Sequence, residues 1–185
     1  MQADEQFIEE EIPMRFPKAS SEASFFRNGG RFMNKQRNYK ARVEGYTRIV
    51  DSSNSDLSYI ELGRLYLEKE GKVYNGFTTD REVGINILSG IVKLEVTTAA
   101  GEVYRFERVG NRMNVFEGAP EMIYIPINSK YTFTVLKGPF DAAVYSAPSS
   151  LDCIPRVVSC GEVESKKTGV LNWSRIVRQG IGDSV

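Results

Sequence analysis

The sequence predicts an all-β fold, an antiparallel sandwich, on three observations. Short runs of β-branched and aromatic residues recur from Val43 onward. Turns bearing Gly and Pro separate them at the spacing of a sandwich or barrel. Val92, Leu94 and Val96 alternate with Lys93, Glu95 and Thr97, which turns one face inward and the other to water. The chain has 185 residues, 41% of them hydrophobic. That is enough for one domain with its own core, which buries roughly 70% of the unfolded surface without staples.

Taken in order, residues 1–42 read as an irregular charged arm. Its first residues carry Asp4, Glu5, Glu9, Glu10 and Glu11, whereas Arg15 to Arg48 holds nine basic residues against Glu22 and Glu44. Asn28-Gly29-Gly30 and Asn34-Lys35-Gln36-Arg37-Asn38 are turn and loop chemistry. Segregated charge of this kind is usually a matter of solubility, so a solvated arm is the expected reading, with a contact to a second copy of the chain (a homo-oligomer) as the alternative.

Residues 43–160 carry the sandwich. Leu57 to Glu68 is assigned as a strand with Gly63 as a kink, between turns at Asp51-Ser52-Ser53-Asn54-Ser55 and Glu70-Gly71-Lys72. Strands follow at Glu82 to Leu88, Ile91 to Thr97, Val103 to Arg108, Arg112 to Phe116, Met122 to Ile127, Tyr131 to Leu136 and Ala142 to Ser146. Ser89-Gly90, Ala99-Ala100-Gly101, Gly118-Ala119-Pro120 and Lys137-Gly138-Pro139 are placed as reversals. Ile87, Leu88, Val92, Leu94, Val115, Ile123, Ile125, Phe133, Val135 and Val144 are expected inside. Residues 161–185 read as a C-terminal connecting segment, with Trp173 and Arg175 in an edge strand packed on the sandwich.

Composition excludes several chemistries. The chain has no histidine and two cysteines, so it can build neither a Ser-His-Asp triad nor a Cys-His pair, and it cannot supply a four-thiolate zinc cage. Any metal would need oxygen ligands. Cys153 and Cys160 read as reduced thiols. Basic and acidic side chains balance at 24 each, and the pI is near 6.4, which argues against a nucleic-acid or anionic-membrane partner. No apolar run approaches a membrane span, and MQADEQFIEEE is acidic where a secretory leader would be basic and then apolar. A cytoplasmic protein is expected.

Two stretches carry a resemblance. Thr79-Asp80-Arg81-Glu82-Val83 followed by Ile87-Leu88-Ser89-Gly90 resembles the first conserved block of cupins. Pro120 to Tyr131, PEMIYIPINSKY, resembles their second block. More narrowly, TDREV, ILSG, GNRMNVFEG, YIP, SAP and PRV in this order resemble 5-deoxy-glucuronate isomerase of inositol catabolism, in its N-terminal half, over about Tyr46 to Val177. The resemblance implies a cupin-like antiparallel jelly roll. It also implies a two-cupin family whose metal-binding histidines lie in the second half, and an aldose-to-ketose isomerisation of a sugar acid.

Measured against the cupin metal pattern, Val83 stands where a ligand glutamate would. Glu82 is one residue too early and so faces the other way. Phe77, Thr78 and Thr79 fall near the first histidine positions, and Tyr131 occupies the place of the last. Asn128 can adopt the positive φ that the turn glycine normally supplies. The expectation is a metal-free jelly roll without a cofactor of its own. Its mouth is expected to hold a small sugar-acid ligand near Tyr131, Tyr124, Arg112 and Glu117, and catalysis to need a second cupin half; the alternative is a stand-alone cupin-like module that binds a small sugar acid or acts in assembly. Lys130 is a further candidate beside Tyr131, and Asp80-Arg81-Glu82 reads as a salt-bridged strand entry.

Overall fold

The computed structural model describes residues 42–159, 161–162 and 164–180, all in one compact unit. The expected arm up to Ala41, and Cys160, lie outside the described residues. The strands are β1 (Gly45–Val50), β2 (Glu61–Leu67), β3 (Val73–Phe77), β4 (Arg81–Thr97), β5 (Val103–Val109), β6 (Met122–Ile125), β7 (Lys130–Pro148), β8 (Arg156–Val158), β9 (Glu164–Thr168) and β10 (Arg175–Gln179). A 3-10 turn, Leu171–Trp173, joins the last two. Every pairing is antiparallel.

Two long strands, β4 with 17 residues and β7 with 19, organise the sandwich. Their outer halves pair from Arg81 opposite Pro148 to Ile87 opposite Ala142, and this pair joins β2 and β1 on one side and β6 and β8 on the other. Their inner halves pair from Val92 opposite Val135 to Thr97 opposite Lys130, flanked by β3 and β5. Each long strand therefore bends once and serves two sheets. The expected reversals at Ser89-Gly90 and Lys137-Gly138-Pro139 are corrected to bends inside continuous strands. The β4 bend needs glycine: Gly90 has φ +93°, and a Cβ there would lie 2.7 Å from the Phe140 Cα and the Pro139 carbonyl oxygen.

Period-two burial then follows from the pairing. Val83, Ile85 and Ile87 on β4 alternate with half-buried neighbours, as do Val92, Leu94 and Val96. With Leu65, Leu67, Val109, Ile123, Ile125, Phe133, Val135, Phe140, Ala142 and Val144 they close one apolar interior. Phe133 stacks at 5.5 Å from Phe140 and edge-on at 5.7 Å from Tyr131. Two of the expected interior residues differ. Leu88 is half-buried beside the bend, and Val115 is 48% exposed.

Val115 is exposed because the expected strand at Arg112 to Phe116 is a loop. There the backbone is held by side chains in place of a ladder. The buried Arg112 guanidinium donates to the Ile87 carbonyl through Nε (3.1 Å) and Nη2 (2.8 Å), and the Glu121 carboxylate accepts from the Gly110 N–H at 2.7 Å. The Leu57 to Glu68 strand shortens to β2, with Leu57, Tyr59 and Ile60 exposed ahead of it. Sequence reading assigned no strand at β3, whose VYNGF contains the turn dipeptide Asn75-Gly76. At the C-terminal end, β10 finds its partner, among the described residues, in β9, and Trp173 is exposed and not packed on the sandwich as expected.

Candidate binding cleft

The bends in β4 and β7 fold their four ends, Arg81, Thr97, Lys130 and Pro148, to the open end of the sandwich. Inward-facing positions nearest that end line a cleft of about 190 Å3 between the sheets. From one sheet come Tyr46 and Arg48 on β1, Glu61 on β2, Arg81 and Val83 on β4, and Ser146 on β7. The other sheet supplies Tyr74 and Phe77 on β3 and Tyr131 on β7.

The aromatic side is built on glycines. Gly76 is the direct cross-strand partner of Tyr131, and a Cβ on Gly76 would overlap the Tyr131 ring. Gly63 pairs with Arg48, and the Tyr46 ring reaches diagonally over it from β1, so that a Cβ there would overlap this ring as well. The Tyr74 ring lies 6.3 Å from that of Tyr131. Burial pushes the phenols of Tyr46, Tyr74 and Tyr131 above the ordinary tyrosine range, and Arg48 partly offsets the shift at Tyr46. All three are neutral near pH 7, and the Tyr74 and Tyr131 hydroxyls interact with each other as the Tyr46 hydroxyl does with Arg48.

The polar side has two arginines on one carboxylate. Arg48 Nε is 3.5 Å from Glu61 Oε2, and Arg81 Nε is 3.8 Å from Glu61 Oε1. Arg81 is fixed further by donating to Ser146 Oγ (3.1 Å), the Ser146 carbonyl (3.0 Å) and the Tyr59 carbonyl (2.5 Å). Ser146 donates to Glu61 Oε2 at 3.4 Å. At the rim, Arg48 also meets Asp51 at 3.7 Å. The floor is tied by Thr78, whose hydroxyl donates to the Pro126 carbonyl (2.7 Å) and accepts from the Ser129 N–H (2.9 Å), next to Asn128 at φ +53°.

Of the four residues singled out from the sequence, the structure places only Tyr131 in this cleft. Tyr124 alternates with the buried Ile123 and Ile125, so it lies on the outer face, where its hydroxyl donates to Glu82 Oε2 at 3.0 Å. Arg112 is buried against the Ile87 carbonyl at the bend, and Glu117 is exposed in the loop between β5 and β6. Lys130 is exposed. Asp80-Arg81-Glu82 is not a salt-bridged triplet, because Arg81 turns inward to Glu61 and Glu82 outward to Tyr124.

Sequence reasoning missed Arg48, Glu61, Arg81, Tyr46, Tyr74 and Ser146. A signal for one of them was present: Arg81 lies two residues before Val83, the residue counted to an inward position, and period two puts both on one face. The donor set does not fit a divalent transition metal. The cleft offers a single carboxylate already engaged by two arginines, beside neutral phenols and hydroxyls. Among the described residues no three Cys, Asp or Glu side chains come together.

Comparison with solved structures agrees with the architecture. The chain superposes on the crystal structure of an IolB-like protein from Salmonella typhimurium LT2 with a TM-score of 0.67 at 22% identity, covering 77% of this chain and 52% of that one. It thus spans about half the length of that relative. Oxalate decarboxylases from Bacillus subtilis and Lactobacillus farciminis both superpose at a TM-score of 0.46, with 12% and 11% identity. Each match covers 60% of this chain, and 28% and 30% of those chains respectively, a likeness too low to bear on function. No curated protein sequence matches the chain. Residues 32–185 match the KduI/IolB family, and with its cupin-like jelly roll the chain belongs to that family.

Proposed function

We propose that this chain is the N-terminal, metal-free cupin domain of a sugar-acid isomerase of inositol catabolism, and that turnover requires a second cupin domain. The observation that carries this reading is the chemistry at the mouth of the sandwich. Moving a proton between adjacent carbons needs a base whose pKa lies near the working pH and a group that stabilises the enediolate oxygen. Burial raises the Tyr46, Tyr74 and Tyr131 phenols further above the working pH, which makes them poor bases, and the Glu61 carboxylate is held between Arg48 and Arg81. No imidazole exists to replace them. Family membership and the half-length match to the IolB-like protein support the assignment to one domain of a larger catalytic unit.

The test is an isomerase assay on the purified chain with 5-deoxy-glucuronate, paired with elemental analysis. The expected result is no turnover and no stoichiometric zinc, iron or manganese. Turnover by the chain alone, or a stoichiometric metal that is lost in Tyr131→Phe, overturns the proposal.

A further inference from the structure

We propose that the tip of the β9/β10 hairpin seats in a groove beside the β4–β5 turn of a second copy, so that the chain self-associates through two surfaces it exposes as a monomer. The contact is independent of any isomerisation, because the groove shares no lining residue with the cleft that holds Arg81 and Tyr131.

The tip holds apolar side chains in water. Val170, Leu171 and Trp173 are all exposed, Leu171 at 90%. Their backbone is nonetheless fixed, since the Trp173 N–H donates to the Val170 carbonyl (3.0 Å) and the Ser174 N–H to the Leu171 carbonyl (3.1 Å). Leu171 sits at φ +50°, a left-handed conformation that costs an L residue roughly 1–2 kcal/mol, and its side chain is left outside. Among the described residues β9 and β10 pair with each other and with no strand of the sandwich, and a lone two-stranded hairpin is marginal in water. Its charge has one sign. Between Ser165 and Arg178 stand Lys166, Lys167, Arg175 and Arg178, all exposed, and no acidic residue.

The groove is complementary in shape and in charge. It has a volume of about 230 Å3 and lies between the β4–β5 turn, the β6–β7 turn and the connection from β7 to β8. Ile127, Leu151 and Ile154 give it apolar walls, the last two exposed. Glu102 and Asp152 line it and no Lys or Arg does, so it carries a formal charge of −2. The Tyr104 hydroxyl donates to Glu102 at 2.8 Å without neutralising it. The volume falls below the roughly 300–1,000 Å3 of drug-sized sites and suits one large side chain, here Trp173, with the hairpin lysines beside the two carboxylates. An apolar anchor ringed by opposite charges is the anatomy of a protein interface. A membrane would answer the tip alone, whereas a second copy of this chain answers tip and groove together. Because the contact joins unlike surfaces, it closes when two copies exchange tips, which gives a two-fold dimer with the contact made twice.

Sedimentation velocity of the full chain from about 1 to 100 µM, with Trp173 fluorescence read on the same samples, tests this. Trp173 is the one tryptophan in the chain, so its emission reports on the contact directly. A dimer should form across that range, dissociate as salt is raised to about 0.5 M, and move the Trp173 emission to shorter wavelength as it forms. Trp173→Ala should weaken association by about tenfold or more. The groove variant Glu102→Lys with Asp152→Lys should weaken it by about tenfold as well. Adding Lys166→Glu and Lys167→Glu to that groove variant should recover part of the loss, since opposite charges meet again. Melting curves at about 1 µM, where the chain is monomeric, should match the parent's for every variant, which separates a lost contact from a lost fold. A monomer throughout the range, or a dimer that withstands both the Trp173 and the groove variants, overturns the proposal. So does a monomer whose Trp173 emission shifts only on phosphatidylglycerol vesicles, which would give the tip to a membrane.

Discussion

Tyr131 and Gly76 face each other across β7 and β3, and the phenol ring of the first occupies the space that a side chain on the second would need. The pair ties the cleft's aromatic wall to the sheet beneath it. Gly76→Ala should therefore cost about 1–3 kcal/mol, the range for overpacking an interior. Adding Tyr131→Ala to it should recover part of that loss, because the two positions share one space. Chemical denaturation of the two single variants and the double variant checks this, and strict additivity would contradict the account.

Stability should fall at high pH. Burial raises the Tyr131 phenol above the ordinary value of 10.0, so the folded state holds that proton more tightly than the unfolded chain. The contribution is fully present below about pH 10 and is lost as pH rises through the folded value. In that window the unfolding free energy should drop by up to about 1.4 kcal/mol per pH unit from this one group. Tyr131→Phe should flatten the slope, as measured by denaturant titrations between pH 9 and 11.

On the outer face, Arg64 and Asp141 form a two-pronged pair, Nε to Oδ1 at 2.8 Å and Nη2 to Oδ2 at 2.6 Å, with both side chains less than one-fifth exposed. Removing one partner leaves the other partly buried without its countercharge. Asp141→Asn should cost about 2–3 kcal/mol. Glu95→Gln, which breaks the exposed pair of Glu95 with Arg105, should cost under about 0.5 kcal/mol. Thermal melts of the two variants side by side measure the difference.

Arg112 anchors the loop between β5 and β6 to the bend of β4 through the Ile87 carbonyl. Arg112→Ala should destabilise by about 1–3 kcal/mol, because a buried carbonyl loses charge-assisted donors. Chemical denaturation of the variant beside the parent chain measures the loss.

Most of the sandwich was legible because its signal is periodic. Val92, Leu94 and Val96 announce their own face, and Asn128 takes the positive φ expected of it. What was not legible depends on register between distant strands. A glycine such as Gly90 reads as a turn, and only the neighbouring strand β7 at Pro139 and Phe140 makes it a bend within a strand. β3 was hidden because Asn75-Gly76 imitates a turn, when Gly76 is there to admit Tyr131. The cleft shows the same division. Tyr131 was found from its place in a motif, whereas Arg48, Glu61 and Arg81 come from β1, β2 and β4 and meet only through the ladders that join them. Tyr124 and Arg112 attracted attention as residue types, and strand parity or loop anchoring sends each elsewhere.

Because β4 and β7 each run through both sheets, the sandwich has no seam along which one layer could open alone. Loosening either layer must release a strand covalently continuous with the other, so the two halves share one cooperative unit. Amide hydrogen exchange would register this as a single protected block along both halves of β4 and β7, opening at close to the global unfolding free energy. The β9/β10 hairpin, which among the described residues pairs with no strand of the sandwich, would exchange far earlier. The residues in contact across β4 and β7 are also far apart in sequence, so folding awaits closure of a long loop and should be slow for the chain's size.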